Sequence, residues 1–306
     1  MQYETFKKAR EFIYRNARPI DLAMWRYHFE SGSADDVYTA LSAYQNSDGG
    51  FAYGIEPDFL NVNSTPIATW CAIRHLREIG IDGKCAIVNG ILKYLDSGKD
   101  FSNGKWHNTV PTNNDSPHAI WWHCRDGVGK PDDNPTVSLA GFALRYGDRR
   151  SALYGRCADI VKNCITRFIE DPTDEMHILY CYLELFEYCA QINGFDLIDM
   201  DAFRAALFAT VKKSVCADSS KWFTEYVCKP SMFFDSSKLL FDIVGRELCA
   251  KEGRMLLDVQ LPDGTWPVTW LWHNDYTEFY VSKNMWKSNI IRQNMLYLRA
   301  LGILEL

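Results

Sequence analysis

The chain has 306 residues, of which 47% are hydrophobic, and its 33 Lys and Arg against 39 Asp and Glu give a formal net charge of −6. This composition predicts a soluble globular protein and gives nucleic acid and anionic membranes no electrostatic reason to bind. The aromatic content of 14%, with 10 Trp, is high for such a chain. Aromatic side chains in this number either fill a large core or line a cavity, so we expect a small-molecule ligand.

The ends and the cysteines of the sequence bear on where the protein works. Residues 1–14 are charged and amphipathic, without the apolar region of a signal peptide, and no run reaches the about 18 apolar residues of a membrane span. Ten Cys occur without a CxxC pair, and most lie in apolar helical runs. We therefore expect a cytoplasmic protein without membrane insertion.

Apolar residues recur at helical spacing along nearly the whole chain, and strand alternation is almost absent. This pattern predicts an all-α protein of twelve helices, in six consecutive pairs. The predicted helices cover residues 2–16, 20–30, 34–45, 64–79, 84–96, 135–146, 151–169, 174–191, 199–215, 232–244, 246–260 and 283–301.

The two members of a pair differ in pattern. First members are amphipathic, whereas several second members, at 64–79, 135–146 and 174–191, are apolar nearly all round and must be covered on every side. Second members should therefore form an inner layer and first members an outer layer, as in an α/α toroid. No linker-like segment interrupts the pattern, so we expect a single domain over 1–306.

The connections between helices are uneven in length. Links from one pair to the next are short, whereas several links within a pair are long and rich in Trp, His, Asp and Gly. Because helices alternate in direction, the long links should lie at one end of the toroid, and such loops are commonly functional. The long links are 46–63, 97–134, 216–231 and 261–282.

Two of the long links begin with the same signature. Residues 41–51 read LSAYQNSDGGF and residues 256–266 read LLDVQLPDGTW, so both fit LxxxQxxxGxF/W. Degenerate copies, NGKW and SSKW, end at Trp106 and Trp222. The spacing of these aromatic positions indicates a repeat of about 50 residues, which is typical of an array of one supersecondary unit.

This signature resembles the QW-type repeat of the terpenoid cyclase and protein prenyltransferase superfamily, whose members are α/α toroids. The resemblance implies that Gln45 and Gln260 cap helix ends through their amides. It also implies that the rings of Phe51 and Trp266 pack beneath neighbouring helices. These four side chains are therefore interpreted as structural, because the fold alone does not specify a chemistry.

The proton donor of class II terpene cyclases is the middle Asp of a DxDD motif. The nearest match here is Lys130-Pro131-Asp132-Asp133, so the resemblance carries the catalytic positions only to Asp132 and Asp133. Lys130 stands where the first Asp would be, and its ammonium group would hold Asp132 ionised. The alternative interpretation is a helix cap ahead of Pro135.

Metal-dependent chemistry of the same superfamily is not predicted. No Cys follows an Asp at the Asp-x-Cys spacing of the prenyltransferase zinc site, and no DDxxD motif is present. The segment from His118 to Cys124 holds two His and a thiol without a standard zinc-ligand spacing. We therefore expect neither a metal nor a cofactor.

Acidic, imidazole and aromatic side chains in the long links supply the remaining candidates. A carboxyl group beside aromatic rings has a raised pKa and can act as a general acid, with a second carboxylate or a His as the base. The further catalytic candidates are Glu56, Asp58, His273 and Asp275. The substrate-binding candidates are His118, Trp121, Trp122, His123, Asp174, His177, Trp270, Trp272 and Tyr276.

Three functions remain open at this level. The first is an isoprenoid cyclase-like or transferase-like enzyme, because the resemblance implies an aromatic-lined cavity that stabilises cations. The second is a carbohydrate-active α/α barrel that uses paired carboxylates and Trp platforms. The third is a non-catalytic toroid that binds a small molecule or a protein, and the identity of any protein partner stays unknown.

Overall fold

The structure is a computed structural model that describes residues 2–234 and 239–305, except for the side chain of Gln2. Its residues cluster into two compact units. Unit 1 comprises residues 1–43 and 215–306, and unit 2 comprises residues 44–214. The expectation of a single domain over 1–306 stays a prediction.

The described residues form eleven α-helices, so the mainly α-helical class is confirmed. They are α1 (Gln2–Asn16), α2 (Pro19–Phe29), α3 (Ala34–Ser42), α4 (Pro66–Ile79), α5 (Ala86–Asp96), α6 (Asp133–Tyr146), α7 (Ala152–Glu170), α8 (Met176–Ala190), α9 (Met200–Ser214), α10 (Arg246–Asp258) and α11 (Phe279–Ala300). The predicted helix 232–244 is not continuous in the described residues. A 3₁₀ turn covers Pro230–Phe233, a π-helical turn covers Phe241–Gly245, and positions 235–238 lie outside the described residues.

A small antiparallel sheet corrects the expectation of a purely α-helical chain. It consists of β1 (Phe101–Ser102), β2 (Lys105–Thr109) and β3 (Lys130–Pro131), with β2 in the middle. Asn103 and Gly104 join β1 to β2 with φ angles of 51° and 73°. Asn-Gly is the sequence that a two-residue hairpin with two positive φ angles favours.

Short polar side chains determine where several helices begin. Thr65 precedes α4 and its hydroxyl accepts the backbone N–H of Ala68, while Pro66 occupies the first helical position. Ser33 and Asp36 form a reciprocal capping box at the start of α3. These caps satisfy backbone N–H groups that the first helical turn leaves without a partner.

The core of unit 2 is built around α6. This helix packs against α4, α7 and α8, and it is buried continuously from Pro135 to Leu144. A helix that is apolar on all sides requires cover on all sides, and the neighbouring helices supply it. The predicted burial of this second-member helix is therefore confirmed.

The core of unit 1 combines both ends of the chain. Helix α1 packs against α2 and α11, and Phe6 and Phe29 surround the fully buried ring of Trp25. The buried carboxylate of Asp21 forms an ion pair with Arg18 at 2.7 Å, and the Arg292 guanidinium lies 3.9 Å away. The first 43 residues thus depend on the last 92 for their burial in this unit.

The two copies of the repeat signature have the same geometry. In unit 2, the Gln45 amide donates to the carbonyl oxygens of Gly49 at 2.9 Å and of Ile87 at 3.1 Å. In unit 1, the Gln260 amide donates to the carbonyl oxygens of Gly264 at 3.1 Å and of Thr5 at 2.9 Å. Each Gln therefore joins its own loop to a helix, α5 or α1.

The aromatic side chains of the repeat signature are buried, as the structural interpretation requires. Phe51 and Trp106 are fully covered, and Trp222 and Trp266 are nearly so. The indole N–H of Trp266 donates to the carbonyl of Leu256, and that of Trp222 donates to the carbonyl of Cys216.

Within the described residues, no helix has the length and apolarity needed to cross a bilayer.

Candidate functional site

In unit 2, the segment from Glu56 to Asn61 runs beside the segment from Pro117 to Ala119. The backbone N–H of Ala119 donates to the carbonyl of Asp58 at 2.8 Å, and that of Leu60 donates to the carbonyl of Pro117 at 2.9 Å. Phe59 and His118 face each other in an isolated antiparallel bridge. Two predicted parts of the site, far apart in sequence, therefore lie side by side.

The Glu56 carboxylate is buried at this junction, with 5% of the residue exposed. It accepts the indole N–H of Trp122 at 3.1 Å and the backbone N–H of Asp58 at 2.9 Å. The Trp122 ring meets Phe59 edge to face, with ring centroids 5.4 Å apart. Glu56 thus anchors the turn that carries Trp122, since a buried carboxylate is stable only when donors surround it.

Asparagine side chains fix the same turn from the other side. The amide of Asn113 donates to the carbonyl of Trp122 at 3.0 Å, and its own oxygen accepts from Asn61 at 3.0 Å. Asn114 bonds both the N–H and the carbonyl of Cys124, at 2.9 Å each. Such side-chain bonds to loop backbone hold the turn Ile120–Trp122 and its neighbour His123 in one conformation.

Two imidazole rings form a pair within this loop. His118 Nε2 lies 3.0 Å from His123 Nδ1, and the two rings are stacked with centroids 5.3 Å apart. His118 Nδ1 lies 2.6 Å from the carbonyl oxygen of Ser116. His118 is buried, with 3% of the residue exposed, whereas His123 is exposed.

When both rings are neutral, these contacts determine the tautomer of the pair. A carbonyl oxygen can only accept, so His118 Nδ1 carries a proton, and in the neutral ring His118 Nε2 is then an acceptor. The His123 Nδ1–H group donates to that nitrogen, which leaves His123 Nε2 as the nitrogen with a free lone pair. The exposed His123 ring therefore has its lone-pair nitrogen, Nε2, on the side away from His118.

Two exposed apolar side chains lie in the turn that immediately precedes His123 in the chain. Trp121 is 40% exposed and Ile120 is 46% exposed, although both lie in the turn that Glu56 and Asn113 fix from inside. The structure thus brings six predicted site residues into one cluster. They are Glu56, Asp58, His118, Trp121, Trp122 and His123, and we call this set the loop cluster.

Asp132 and Asp133 form a separate arrangement at the start of α6. Asp132 caps the helix by accepting the N–H of Asn134 at 3.2 Å, and its carboxylate lies 2.8 Å from the Lys130 ammonium. Asp133 lies 2.8 Å from both Lys105 and Arg167. These contacts are those of a helix cap and of ion pairs.

The candidates at the start of α8 are surface groups. Asp174 is exposed, and His177 Nδ1 lies 2.5 Å from an oxygen of Glu175, the residue that caps the helix by accepting the N–H of Ile178. Burial alone would raise the pKa of Glu175, but the bonds from His177 and from the helix outweigh it and lower that pKa. A capping role accounts for Glu175 and gives His177 a partner.

The candidates in unit 1 form an aromatic group with exposed polar neighbours. Trp272 is buried against Tyr276 and Phe279, whereas His273 and Asp275 are exposed. Trp270 meets the rings of Tyr226 and Trp286 edge to face, at 5.5 and 5.3 Å. The structure places Trp270, Trp272, His273, Asp275 and Tyr276 in unit 1, whereas the loop cluster belongs to unit 2.

The sequence interpretation missed a buried carboxyl group on α8. Glu184 is 2% exposed, accepts the indole N–H of Trp70 at 2.6 Å and the hydroxyl of Ser138, and lies 3.6 Å from the Arg77 guanidinium. Burial raises the pKa of Glu184, and the nearby cations Arg77 and Arg74 only partly offset this. The available signal was a pair of acids, Glu184 and Glu187, inside a mostly apolar helix, since such residues are buried only with partners.

Among the described residues, no group of three or more His, Cys, Asp or Glu side chains is arranged to hold a metal ion. Comparison with known proteins gives no match to this chain among family models, curated proteins or solved structures. The chemistry of the loop cluster is therefore the basis for assigning a function.

Proposed function

We propose that this chain is an enzyme that performs acid–base chemistry on a small ring-bearing ligand at the loop cluster of unit 2. The observation that supports it most directly is the His118–His123 pair, in which a buried, tautomer-fixed ring supports an exposed one. General acid–base catalysis requires a titratable group that is both positioned and accessible. His123 meets both requirements.

In this proposal, His123 Nε2 takes a proton from the ligand and later returns it. The imidazolium that forms is stabilised through Nδ1–H by His118 Nε2, which the Ser116 carbonyl keeps in the accepting tautomer. His118 is thus a positioning residue. Glu56 acts one step further away, because it holds the Trp122 indole at the turn that precedes His123.

A carbohydrate ring is the ligand that we favour. Trp121, in the turn that precedes His123, exposes 40% of its surface, and indole faces are natural platforms for sugar rings.

An isoprenoid is the second candidate ligand. It goes with the proposal that the chain is an α/α toroid. The Gln45 and Gln260 contacts with helix carbonyls favour it, because the resemblance to the terpenoid cyclase and prenyltransferase repeat implies this arrangement. In that case Asp132, the candidate proton donor, is already engaged as the cap of α6 and in an ion pair with Lys130.

The test is turnover of oligosaccharide and polyprenyl substrate panels by the full chain and by two matched variants. We expect His123→Asn to lower kcat by about 10²- to 10⁴-fold on the productive panel, as loss of a general acid–base group does. His28→Asn removes a His of unit 1 that is not among the predicted site residues and should leave kcat unchanged. Equal rates for both variants would remove His123 from the mechanism, and a lack of turnover with ligand binding retained would support the non-catalytic alternative.

A further inference from the structure

The guanidinium group of Arg74 on α4 lies against two aromatic rings in unit 2. Its central carbon is 4.3 Å from the ring centroid of Tyr180 and 5.2 Å from that of Trp70. The two rings meet edge to face, with centroids 6.1 Å apart, and both residues are 7% exposed. The cation is therefore seated on a buried aromatic corner.

The network beneath this corner makes it rigid. The Trp70 indole donates to Glu184 at 2.6 Å, and Glu184 is held in turn by Ser138 and lies near Arg77. Trp70 and Tyr180 come from α4 and α8, and α6 packs against both helices. A guanidinium on such a surface loses little conformational freedom when it binds a partner.

Arg74 differs from its neighbour Arg77 in how its charge is paired. Arg77 bonds to Glu187 and lies 3.6 Å from Glu184, whereas the close contacts of Arg74 are with the Tyr180 and Trp70 rings, and Glu184 contributes to its charge interactions. Arg74 remains partly exposed. Burial alone would lower the pKa of Arg74, but its interactions with Tyr180 and Glu184 outweigh this and raise it, so the group is always a cation.

We propose that Arg74, on the Trp70–Tyr180 corner, binds an oxyanion of a ligand, either a carboxylate or a phosphate group. Its ring contacts occupy faces of the guanidinium and Tyr180 takes one hydrogen bond. The remaining N–H donors can meet a planar or tetrahedral anion, with which arginine forms paired charge-assisted bonds. This site goes beyond the proposed proton transfer at His123, because it uses other helices and needs no reaction.

Anion titration of the full-length, ¹⁵N-labelled protein by NMR tests this site with inorganic phosphate and, separately, with acetate. We expect saturable shifts with at least one of them, and the anion that saturates at lower concentration identifies the source of the oxyanion. Arg74→Gln should weaken binding about tenfold or more, as loss of a charge-assisted bidentate contact predicts.

Arg145→Gln is the matched control, because Arg145 is an exposed arginine of the same unit that lies 5.0 Å from one ring, that of Tyr146. It should change affinity less than twofold. Arg74→Lys keeps the charge without the planar fork and should bind several-fold more weakly, which decides the matter if Arg74→Gln fails to fold. Failure of both anions to saturate, equal losses at both positions or unchanged affinity in Arg74→Lys would each overturn the assignment. These are binding readouts, so they are independent of turnover at His123.

Discussion

The loops that follow Leu41 and Leu256 begin alike and end differently. Both begin with a Gln that donates to its own loop and to a helix carbonyl, followed by a Gly with a φ angle of 93° or 89°. Beyond Phe51, the first loop turns inward and buries Glu56 and Asp58. Beyond Trp266, the second loop ends in the exposed residues His273 and Asp275.

The shared part of the two loops is structural, whereas the unshared part of the first loop carries the candidate functional residues. The shared half of each loop makes the same contacts in two units, so its conservation of geometry needs no ligand to explain it. The unshared half of the first loop is held by a second loop segment, through Asp58, Leu60 and Trp122. Such support converts aromatic and imidazole residues from surface groups into an organised cluster.

The largest expected effect comes from the two signature glycines. A Cβ atom on Gly49 would lie 2.1 Å from the carbonyl oxygen of Gly90, and one on Gly264 would lie 2.2 Å from that of Lys8. Because both φ angles are also positive, Gly49→Ala and Gly264→Ala should each lower the free energy of unfolding by about 4 kcal/mol, measured by urea denaturation. Gly104→Ala, with a φ of 73° and no atom within 4 Å of its Cβ, should cost only about 1 to 2 kcal/mol. Clearly unequal losses at 49 and 264 would break the equivalence of the two loops, and an equally large loss at 104 would show that the close carbonyl contacts are not the cause.

The signature glutamines should have the next largest effect. Gln45→Leu and Gln260→Leu each remove two hydrogen bonds to backbone carbonyls, so we expect each to cost about 2 kcal/mol of unfolding free energy. Gln191→Leu, at an exposed position at the end of α8, is the control and should stay within about 0.5 kcal/mol. Clearly unequal losses at 45 and 260 would show that only one of the loops is fastened in this way.

In the part of the first loop beyond Phe51, we expect a smaller effect on the unfolding free energy, and a neighbouring residue serves as the control. Trp122→Phe leaves one oxygen of the buried Glu56 carboxylate without its indole donor, so we expect a loss of about 1.5 kcal/mol. Trp121→Phe changes a half-exposed ring and should alter the unfolding free energy by less than about 0.5 kcal/mol. The reverse order would mean that Glu56 does not support this turn.

The smallest expected effect concerns the fall in unfolding free energy at acidic pH. Burial alone would raise the pKa values of Asp48 and Asp263, but bonds from Ser64 and the Gly50 N–H in one loop, and from Thr265 and Lys287 in the other, outweigh it and lower both. A carboxyl group with a depressed folded-state pKa contributes stability above its unfolded pKa of 3.8, and this contribution is lost as pH falls through the folded value.

Asp48→Asn and Asp263→Asn should therefore flatten the fall in stability below about pH 4. Both side chains are about two-fifths exposed, so solvent screening should keep each effect below about 1 kcal/mol. Urea denaturation between pH 3 and 7 measures it, with Asp174→Asn as an exposed control. An unchanged fall in unfolding free energy at acidic pH in both variants would contradict the assigned bonds.

Sequence patterns predicted the helices because long amphipathic and apolar runs leave a clear signal. Helix α1 begins and ends as predicted, and α11 begins four residues before the predicted start at 283. The sheet was missed because β1 and β3 contain two residues each, too few for alternation to register. Only the Asn103-Gly104 pair signalled the hairpin.

Site residues were predictable where chemistry-bearing side chains gathered in one loop, as at His118, Trp121 and His123. The pairing of His118 with His123 was not predictable, because the group that orients His118 is the backbone carbonyl of Ser116. Glu184 was not predicted, for another reason. Its partners Trp70 and Ser138 lie 114 and 46 residues away in the chain, and only packed helices bring them together.

The division of unit 1 between the two ends of the chain affects the order of synthesis. A ribosome delivers all of residues 44–214 before the Gln260 amide exists to meet the Thr5 carbonyl on α1. Domains generally fold as they emerge, so unit 2 can pack while residues 1–43 still wait for partners. Nascent chains halted near residue 255 should therefore leave α1 open to protease while residues 44–214 resist it.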